Sequence, residues 1–297
     1  MIRENTGPTF SDSGVCGGLN SPEGNENGMN IHPTAIVHPK ANIGEDVSVG
    51  PYCVIGEHVT IGDQTKLSPH VCIEGHTEIG RCCRISPFVS IGTPPQHLQY
   101  KDEPTKVCIG DHNIICENAT INRGTVFGNG TTRIGHHNFL MAYTHVAHDC
   151  ELGNHIVMAN AANLAGHVSV GNSVVIGGLV GVHQYVRIGE YAMVGGFSAL
   201  GRDVPPFVRA AGGYRAQMFG LNTIALRRHG FSEIRMATLK AAFELLFRQG
   251  HRLQEAIKLA RNEYGESTDV LSLLTFLEST SRGICQVSSR ELDDDEE

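Results

Sequence analysis

The sequence repeats an aliphatic residue every six positions over most of its length. The repeat pauses at 93–106 and keeps one phase up to Ile121; after a glycine-rich stretch at 124–133 it restarts one residue out of step at Ile134. A glycine often follows the aliphatic residue. The repeat has 25 aliphatic positions, which are Val37, Ile43, Val49, Ile55, Ile61, Leu67, Ile73, Ile79, Ile85, Ile91, Ile109, Ile115, Ile121, Ile134, Leu140, Val146, Leu152, Met158, Leu164, Val170, Ile176, Val182, Ile188, Val194 and Leu200.

This period excludes the common regular structures. An α-helix would spread the aliphatic residues around its circumference, and an amphipathic strand would alternate with period two. The repeat instead predicts a mostly β fold, a left-handed parallel β-helix of hexapeptide repeats with three hexads in each triangular coil. The 25 hexads give roughly eight coils with the aliphatic side chains stacked inside. The corner glycines are expected to adopt the positive φ of the turns.

The pattern changes after residue 205. The VPPF segment at 204–207 ends the repeat, because proline cannot donate to a strand ladder. From about residue 216 the apolar spacing is helical. Ser232 is expected to cap the first long helix, and Gly250 to end it. Three long helices are predicted, at 235–250, 251–265 and 268–280.

The chain therefore divides into four predicted parts. A β-helix domain covers 29–213, and a small C-terminal α-helical domain covers 214–285. A polar, disordered extension precedes them at 1–28, and an acidic tail follows at 286–297. The formal net charge of −8 is concentrated in the two ends, so the body is close to neutral. This charge pattern predicts no nucleic-acid partner and no polybasic contact with a membrane.

Cysteine usage and hydropathy predict a cytoplasmic protein. The nine cysteines show no C-x-x-C spacing, and the adjacent Cys82 and Cys83 make a poor disulfide framework. Free thiols are typical of a reducing compartment. No segment approaches the ~20 apolar residues of an integral membrane span. Residues 1–28 also lack the apolar core of a signal peptide.

Three of the sixteen histidines fall in register on consecutive coils. His148, His167 and His183 each lie within three positions of an aliphatic residue of the repeat, and those aliphatic residues are one coil apart. A strand spacing of ~4.8 Å puts the outer two histidines within roughly 10 Å of each other. His145 lies just before the same corner. The sequence therefore predicts a histidine cluster at one edge of the β-helix.

The residues alone leave three interpretations of this cluster open. The histidines could cap exposed carbonyl groups, or bind zinc as the three histidines of the γ-type carbonic anhydrases do. A metal-free general base is favoured, because an imidazole titrating near ~6.5 can take a hydroxyl proton at neutral pH. His148 would be that base, and Asp149 would fix its tautomer. The bare amide of Gly166, one coil on, would donate to an oxyanion.

Ten short motifs extend over both domains. They are IHPTAIVHP (31–39), EPT (103–105), INRGT (121–125), HVAHDC (145–150), LAGHVSV (164–170), GVHQY (181–185), VGG (194–196), DVPPF (203–207), FGLN (219–222) and RRHGFS (227–232). In this order, over about residues 30–285, they resemble the acyl-[acyl-carrier-protein]–UDP-N-acetylglucosamine O-acyltransferases. The motif series is far more specific than the hexads, which occur in many transferases and anhydrases.

The resemblance implies the first step of lipid A biosynthesis. A 3-hydroxyacyl group would pass from acyl carrier protein to the 3-hydroxyl of UDP-N-acetylglucosamine, with His148 as general base and the Gly166 amide at the oxyanion. The phosphopantetheine thioester of the carrier protein would be the donor, and no other cofactor and no metal is implied. The resemblance also implies substrate-binding residues, which are Gln96, His145, His167, His183, Gln184, Asn222 and Arg228.

Chain-length selection and assembly are implied in the same way. Gly196 matches the position whose size limits the acyl chain, and its missing side chain implies a longer acyl group. Family members are homotrimers with active sites between subunits. The helical region 214–283 holds ten Lys and Arg residues against seven Asp and Glu residues. This basic excess suits an acidic carrier protein.

Two departures from the family pattern and three alternatives stand beside this prediction. The segment PPQHLQY (94–100) places His97 where many members carry an acidic residue and Gln99 where several carry a lysine. The segment GGYRAQMFG (212–220) is one residue longer than the family pattern. The alternatives are a γ-type zinc carbonic anhydrase, a UDP-sugar N-acyltransferase of the same pathway and a non-catalytic scaffold. The N-acyltransferase usually carries a folded N-terminal domain, which residues 1–28 cannot supply. A scaffold has no need for His148 in its motif.

Overall fold

A computed structural model describes residues 30–213 and 215–289. The extension predicted at 1–28 lies outside the described residues, as does the tail from residue 290. In chain order, strands β1 to β14 are Asn30–Ile31, Ile36–Val37, Asn42–Ile43, Ser48–Val49, Val54–Ile55, Val59–Ile61, Lys66–Leu67, Cys72–Ile73, His76–Ile79, Arg84–Ile85, Ser90–Thr93, Lys106–Ile109, Ile114–Ile115 and Thr120–Asn122. Strands β15 to β28 are Thr131–Ile134, Phe139–Leu140, His145–Val146, Glu151–Leu152, Val157–Met158, Asn163–Leu164, Ser169–Val170, Val175–Ile176, Gly181–Val182, Arg187–Ile188, Met193–Val194, Ala199–Leu200, Val208–Ala211 and Gln217–Leu221.

Every third strand pairs in parallel, so the chain winds around three flat faces. In the described part of the chain, the three sheets hold 11, 9 and 8 strands. Val146 of β17 pairs with Leu164 of β20, which pairs with Val182 of β23. These partners are successive members of the repeat, as the one-coil spacing predicts. Strands β1 to β24 form eight complete coils, and β25 and β26 begin a ninth.

The aliphatic residues of the repeat form the core of the β-helix. Ile73, Ile121 and Leu164 are completely buried, whereas Val37 in the first coil is only partly buried. Burying each such side chain contributes about 1.5–3 kcal/mol, so the stacked columns supply most of the driving force for folding. The core of the β-helix therefore continues from coil to coil, and its side chains are less buried in the first described coil than in later coils.

The prediction that corner glycines adopt positive φ is wrong. Of the six glycines that follow an aliphatic residue before residue 93, only Gly92 has a positive φ. The left-handed conformation falls two residues later, at non-glycine residues such as Tyr52. A Cβ on Gly50 would lie 2.8 Å from Pro69 N in the next coil. Glycine is therefore needed there because successive coils approach closely.

Within residues 215–289, four helices follow the β-helix. They are α1 at Thr223–Arg228, α2 at Glu233–Phe247, α3 at Leu253–Tyr264 and α4 at Thr268–Glu278. Ser232 caps α2 as predicted, accepting a hydrogen bond from Arg235 N. Gly250 has a φ of +78° and lies beyond the end of α2 at Phe247. The helices pack around a second core that includes Leu239 and Leu273.

Segments that were predicted to lie outside the β-helix domain pair with it or pack in its core. Residues 217–221 form β28, which pairs antiparallel with β27 and extends the first sheet, although helical spacing is predicted from residue 216. Cys285 is buried in the β-helix core, and Ser288 N donates to Met218 O at 2.8 Å. None of the helices in the described ranges has the length and apolar character needed to cross a membrane.

Candidate active site

A cavity of about 1250 Å³ lies against the second sheet. Strands β17, β20, β23 and β26 pair in succession along it. This pairing places residues from four consecutive coils on one wall. Six of the residues predicted for the site line the cavity, and these are Gln96, His145, His148, Gly166, His183 and Gln184.

His148 and Asp149 form a hydrogen-bonded pair at the edge of the cavity. His148 Nδ1 lies 2.9 Å from Asp149 Oδ2, and the Asp149 side chain is fully buried. Burial alone would raise the pKa of Asp149, but hydrogen bonds from His148 and Thr125 outweigh it and hold that pKa below its usual 3.8. An ionised carboxylate only accepts hydrogen bonds. In the neutral ring, Nδ1 of His148 therefore carries the proton and Nε2 has the free lone pair.

Gly166 lies one coil after His148, beside the Nε2 edge of the ring. A Cβ on Gly166 would lie 2.7 Å from His148 Nε2, closer than real Cβ atoms approach. Among the described residues, the Gly166 amide donates to no protein acceptor. A proton acceptor and an unused N–H donor are therefore neighbours on the cavity wall.

Two further histidines, His167 and His145, lie near the His148–Asp149 pair. The rings of His167 and His148 meet edge to face with centroids 5.0 Å apart, and His167 Nδ1 lies 3.9 Å from Asp149 Oδ2. His145 Nδ1 lies 2.7 Å from Thr120 Oγ1. Burial lowers the pKa of both rings, although Asp149 opposes the shift at His167. Both rings are therefore neutral at pH 7, where they donate and accept hydrogen bonds without adding charge.

The insertions at 93–106 and 124–133 fold over His148, which the sequence analysis missed. The His97 ring lies 5.4 Å from the His148 ring, measured between centroids, and stacks on Phe127 at the same distance. Hexad spacing carries no information about how insertions pack. Their positions in the repeat could have indicated that the two insertions lie close together, because both follow strands of the second sheet on consecutive coils.

Three arginines at the far end of the cavity were also missed. Arg202, Arg215 and Arg282 line it, together with Gly201 and Cys285. Arg282 donates to Gly201 O through Nε and Nη2. No sequence pattern connects these three arginines, since they come from three separate segments that meet only after folding. Their charge suits an anionic group at this end of the cavity.

The sequence matches known proteins along both domains. A model of bacterial transferase hexapeptide repeats matches residues 28–63, and one of UDP-N-acetylglucosamine O-acyltransferase domain 2 matches 203–285. An acyl-[acyl-carrier-protein]–UDP-N-acetylglucosamine O-acyltransferase of Trichlorobacter lovleyi is 58% identical over 260 residues, covering 87% of this chain and 100% of the relative. That of Thermodesulfovibrio yellowstonii is 53% identical over 256 residues, 86% of this chain and 99% of the relative. The chain belongs to this O-acyltransferase family.

Solved structures of UDP-N-acetylglucosamine acyltransferases share the fold. The protein from Moraxella catarrhalis is 43% identical with a TM-score of 0.84, and covers 86% of this chain and 99% of its own. The protein from Campylobacter jejuni is 41% identical with a TM-score of 0.83, and covers 87% of this chain and 100% of its own. The predicted fold class is confirmed as a left-handed parallel β-helix followed by a small helical domain.

The structure of this O-acyltransferase does not bring every predicted residue to the cavity. Asn222 caps α1, accepting from Ala225 N, and its Nδ2 donates to Tyr191 O at 2.9 Å. Arg228 ends α1, and Gly196 is exposed at a corner of the β-helix. Neither these three residues nor His167 is among those lining the cavity. Their substrate roles stay predictions.

Three potential metal ligands lie together at the His148–Asp149 pair. Ligand atoms of His148, Asp149 and His167 lie within 4.8 Å of one another. Thr125 N and Oγ1 donate to the Asp149 carboxylate, and Nδ1 of His148 is already at hydrogen-bond distance from it. A zinc ion bridging these groups would replace those hydrogen bonds. The geometry therefore favours the hydrogen-bonded pair, and metal analysis of the purified protein tests the anhydrase alternative directly.

We expect the protein to lose stability on acidification from pH 7 to pH 5. Burial is the main reason that the pKa of five histidines lies below 6.5; they are His76, His137, His145, His167 and His229. Below pH 6.5 the unfolded chain binds more protons at these sites than the folded chain, which favours unfolding. The lowered pKa of Asp149 affects the free energy of unfolding only at more acidic pH, since the usual pKa of an aspartate is 3.8. Thermal melting across this range should show a falling Tm, and a constant or rising Tm would contradict the assignment.

Proposed function

We propose that this O-acyltransferase transfers a 3-hydroxyacyl group from acyl carrier protein to the 3-hydroxyl of UDP-N-acetylglucosamine, the first step of lipid A biosynthesis. The observation that carries the proposal is the close approach of His148 Nε2 to Gly166, whose amide donates to no described protein acceptor, at a cavity of about 1250 Å³. Relatives more than half identical along nearly their whole length carry the name of this activity.

His148 would act as the general base in this reaction. Its Nε2 takes the proton of the sugar 3-hydroxyl as the oxygen attacks the thioester carbonyl carbon, forming the new C–O bond. The Gly166 N–H stabilises the negative charge that develops on the carbonyl oxygen. Collapse of this intermediate breaks the C–S bond, and the imidazolium returns its proton to the leaving thiolate. Asp149 holds the ring and stabilises the imidazolium through the hydrogen bond at Nδ1.

The cavity walls suit the two substrates. Gln96, His183 and Gln184 offer hydrogen-bonding groups near the base, where the sugar hydroxyls would lie. The arginines at the far end offer charge for a phosphate of UDP or of phosphopantetheine. Neutral His145 can accept or donate without opposing the proton transfer to His148. The only cofactor needed is the phosphopantetheine that the carrier protein brings.

The proposal includes a homotrimer in the cytoplasm. Large apolar side chains are exposed along the corner between the first and second sheets, at Tyr143, Leu179 and Phe197. A continuous exposed apolar edge is typical of a surface that another subunit covers. Arg228 would then serve a site shared between subunits, and the basic helical domain would dock the acidic carrier protein. Sedimentation analysis tests the trimer.

Substituting methionine for Gly196 should shift acyl preference to shorter chains. A Cβ on Gly196 would lie 3.3 Å from Gly178 O, which is tight but tolerable, and its neighbour Phe197 is exposed. The longer methionine side chain would block the end of an acyl chain that runs along the second sheet from His148. Competition between carrier proteins loaded with different hydroxyacyl chains measures the shift. Unchanged preference would show that Gly196 does not limit the chain.

Direct turnover tests the function as a whole. The purified protein is incubated with UDP-N-acetylglucosamine and a panel of 3-hydroxyacyl carrier proteins, and the acylated nucleotide sugar is measured. Product with one chain length preferred supports the proposal. Absence of product with every donor, from protein that is folded and metal-free, would overturn it.

A further inference from the structure

The glycine-rich stretch at 124–133 interrupts the hexad repeat directly over the predicted base. Gly128 N and Gly130 N both donate to Thr125 O, at 3.2 Å and 3.0 Å, so the stretch folds into a tight turn. Thr131–Ile134 then re-enters the third sheet as β15. The one-residue slip in the repeat therefore corresponds to a compact turn, held in place by its own backbone hydrogen bonds.

Thr125 binds the Asp149 carboxylate through two groups. Its backbone N–H lies 3.1 Å from both carboxylate oxygens, and its hydroxyl donates to Oδ2 at 2.7 Å. Thr125 is completely buried. Oδ2 is also the oxygen that lies 2.9 Å from His148 Nδ1. Thr125 and His148 therefore both hydrogen-bond Oδ2 of Asp149, and together they fix the orientation of its carboxylate.

The rest of the turn encloses the same carboxylate. A Cβ on Gly128 would lie 2.6 Å from both Oδ1 and Oδ2 of Asp149, so only glycine allows the turn to approach this closely. On the other side, Asp149 N donates to Thr132 Oγ1 at 2.9 Å. The turn thus supplies the donors for Asp149, excludes water from it and fixes its backbone.

We propose that Thr125 is a positioning residue for acyl transfer, which acts on His148 through Asp149 and needs Gly128 to reach it. The inference rests on the proposed role of His148 as base. Removing the Thr125 hydroxyl leaves Oδ2 with one donor fewer and lets the carboxylate turn away from Nδ1. The His148 ring then loses its fixed tautomer and orientation, which affects proton transfer more than substrate binding.

Thr125→Val and Thr125→Ser test the hydroxyl. We expect Thr125→Val to lower kcat about tenfold, the order expected for a lost hydrogen bond to a charged group, with little change in KM for UDP-N-acetylglucosamine. Thr125→Ser keeps the hydroxyl and should restore most of kcat. Thr65→Val is the matched control, because Thr65 is also fully buried with its hydroxyl hydrogen-bonded, but lies far from the cavity. It should lower Tm and leave kcat unchanged.

A double-mutant cycle then tests whether Thr125 acts through Asp149. In an Asp149→Asn background, Thr125→Val should cost little further activity, because the group that it positions is gone. Full additivity, or a Thr125→Val protein with wild-type kcat, would overturn the inference. His148→Ala separates this outcome from failure of the proposed function. If His148→Ala retains full turnover, the base assignment fails, whereas an inactive His148→Ala beside a fully active Thr125→Val refutes only the role of Thr125.

Discussion

Replacing His148 by alanine should lower kcat about a thousandfold, within the range that a positioned general base contributes. The imidazole is the proposed proton acceptor beside Gly166, and its Nε2 is left free because Nδ1 is held by Asp149. The neutral His145 and His167 rings lie nearby, but neither has the carboxylate hydrogen bond that fixes the tautomer of His148. Steady-state turnover with saturating donor and acceptor measures the loss.

A control variant distinguishes the effect of losing the proposed base from the effect of removing any histidine ring from a corner of the β-helix. His155 is exposed and stacks on His137 at a different corner, with ring centroids 5.0 Å apart. His155→Ala should therefore keep wild-type kcat. Both variants should retain a cooperative thermal transition. A His148→Ala protein that is folded and turns over within a few-fold of wild type would remove His148 from the mechanism.

The β-helix could be predicted from sequence because its repeat is local and strict. Each hexad places one aliphatic residue inside, and strand pairing stacks residues one coil apart. This simple rule is enough to bring His148, Gly166 and His183 to one cavity. A β-helix has no alternative strand order, so periodicity alone fixes the neighbours of each residue within the coils.

Features outside the repeat could not be predicted in this way. His97 and Thr125 reach His148 and Asp149 from insertions whose paths depend on contacts such as that of Arg123, which donates to Tyr100 Oη at 2.8 Å. Nothing in the spacing of residues 93–106 or 124–133 specifies those contacts. The contacts that hold His148 and Asp149 were therefore missed, although the position of His148 next to Gly166 was predicted.

The helical interpretation of the segment from about residue 216 was wrong for a related reason. Residues 217–221 show helical apolar spacing but form β28, because pairing with β27 satisfies backbone groups at the end of the sheet. Tertiary pairing overrides local propensity at such junctions. The prediction that the glycines have positive φ was also wrong because it considered only local conformation. Glycine is needed at these positions because successive coils approach each other closely.

Replacing Gly166 by alanine should lower kcat about a hundredfold, since a displacement of a catalytic group by about 1 Å can cost that much. The added Cβ would lie 2.7 Å from His148 Nε2 and would contact Cε1 as well, so the ring must move. The backbone N–H remains, but it no longer lies beside the proton acceptor. The same steady-state assay measures the loss, and KM for the acceptor should also rise as the sugar site narrows.

Gly56→Ala is the control for crowding between coils. Its Cβ would lie 3.3 Å from Glu74 Cα, a tight contact with the next coil that is remote from the cavity. We expect that variant to lower Tm slightly and to leave kcat unchanged, which would show that crowding between coils does not by itself lower kcat. If Gly166→Ala keeps wild-type kcat, the close approach of the Gly166 backbone to the His148 ring is not needed for the reaction.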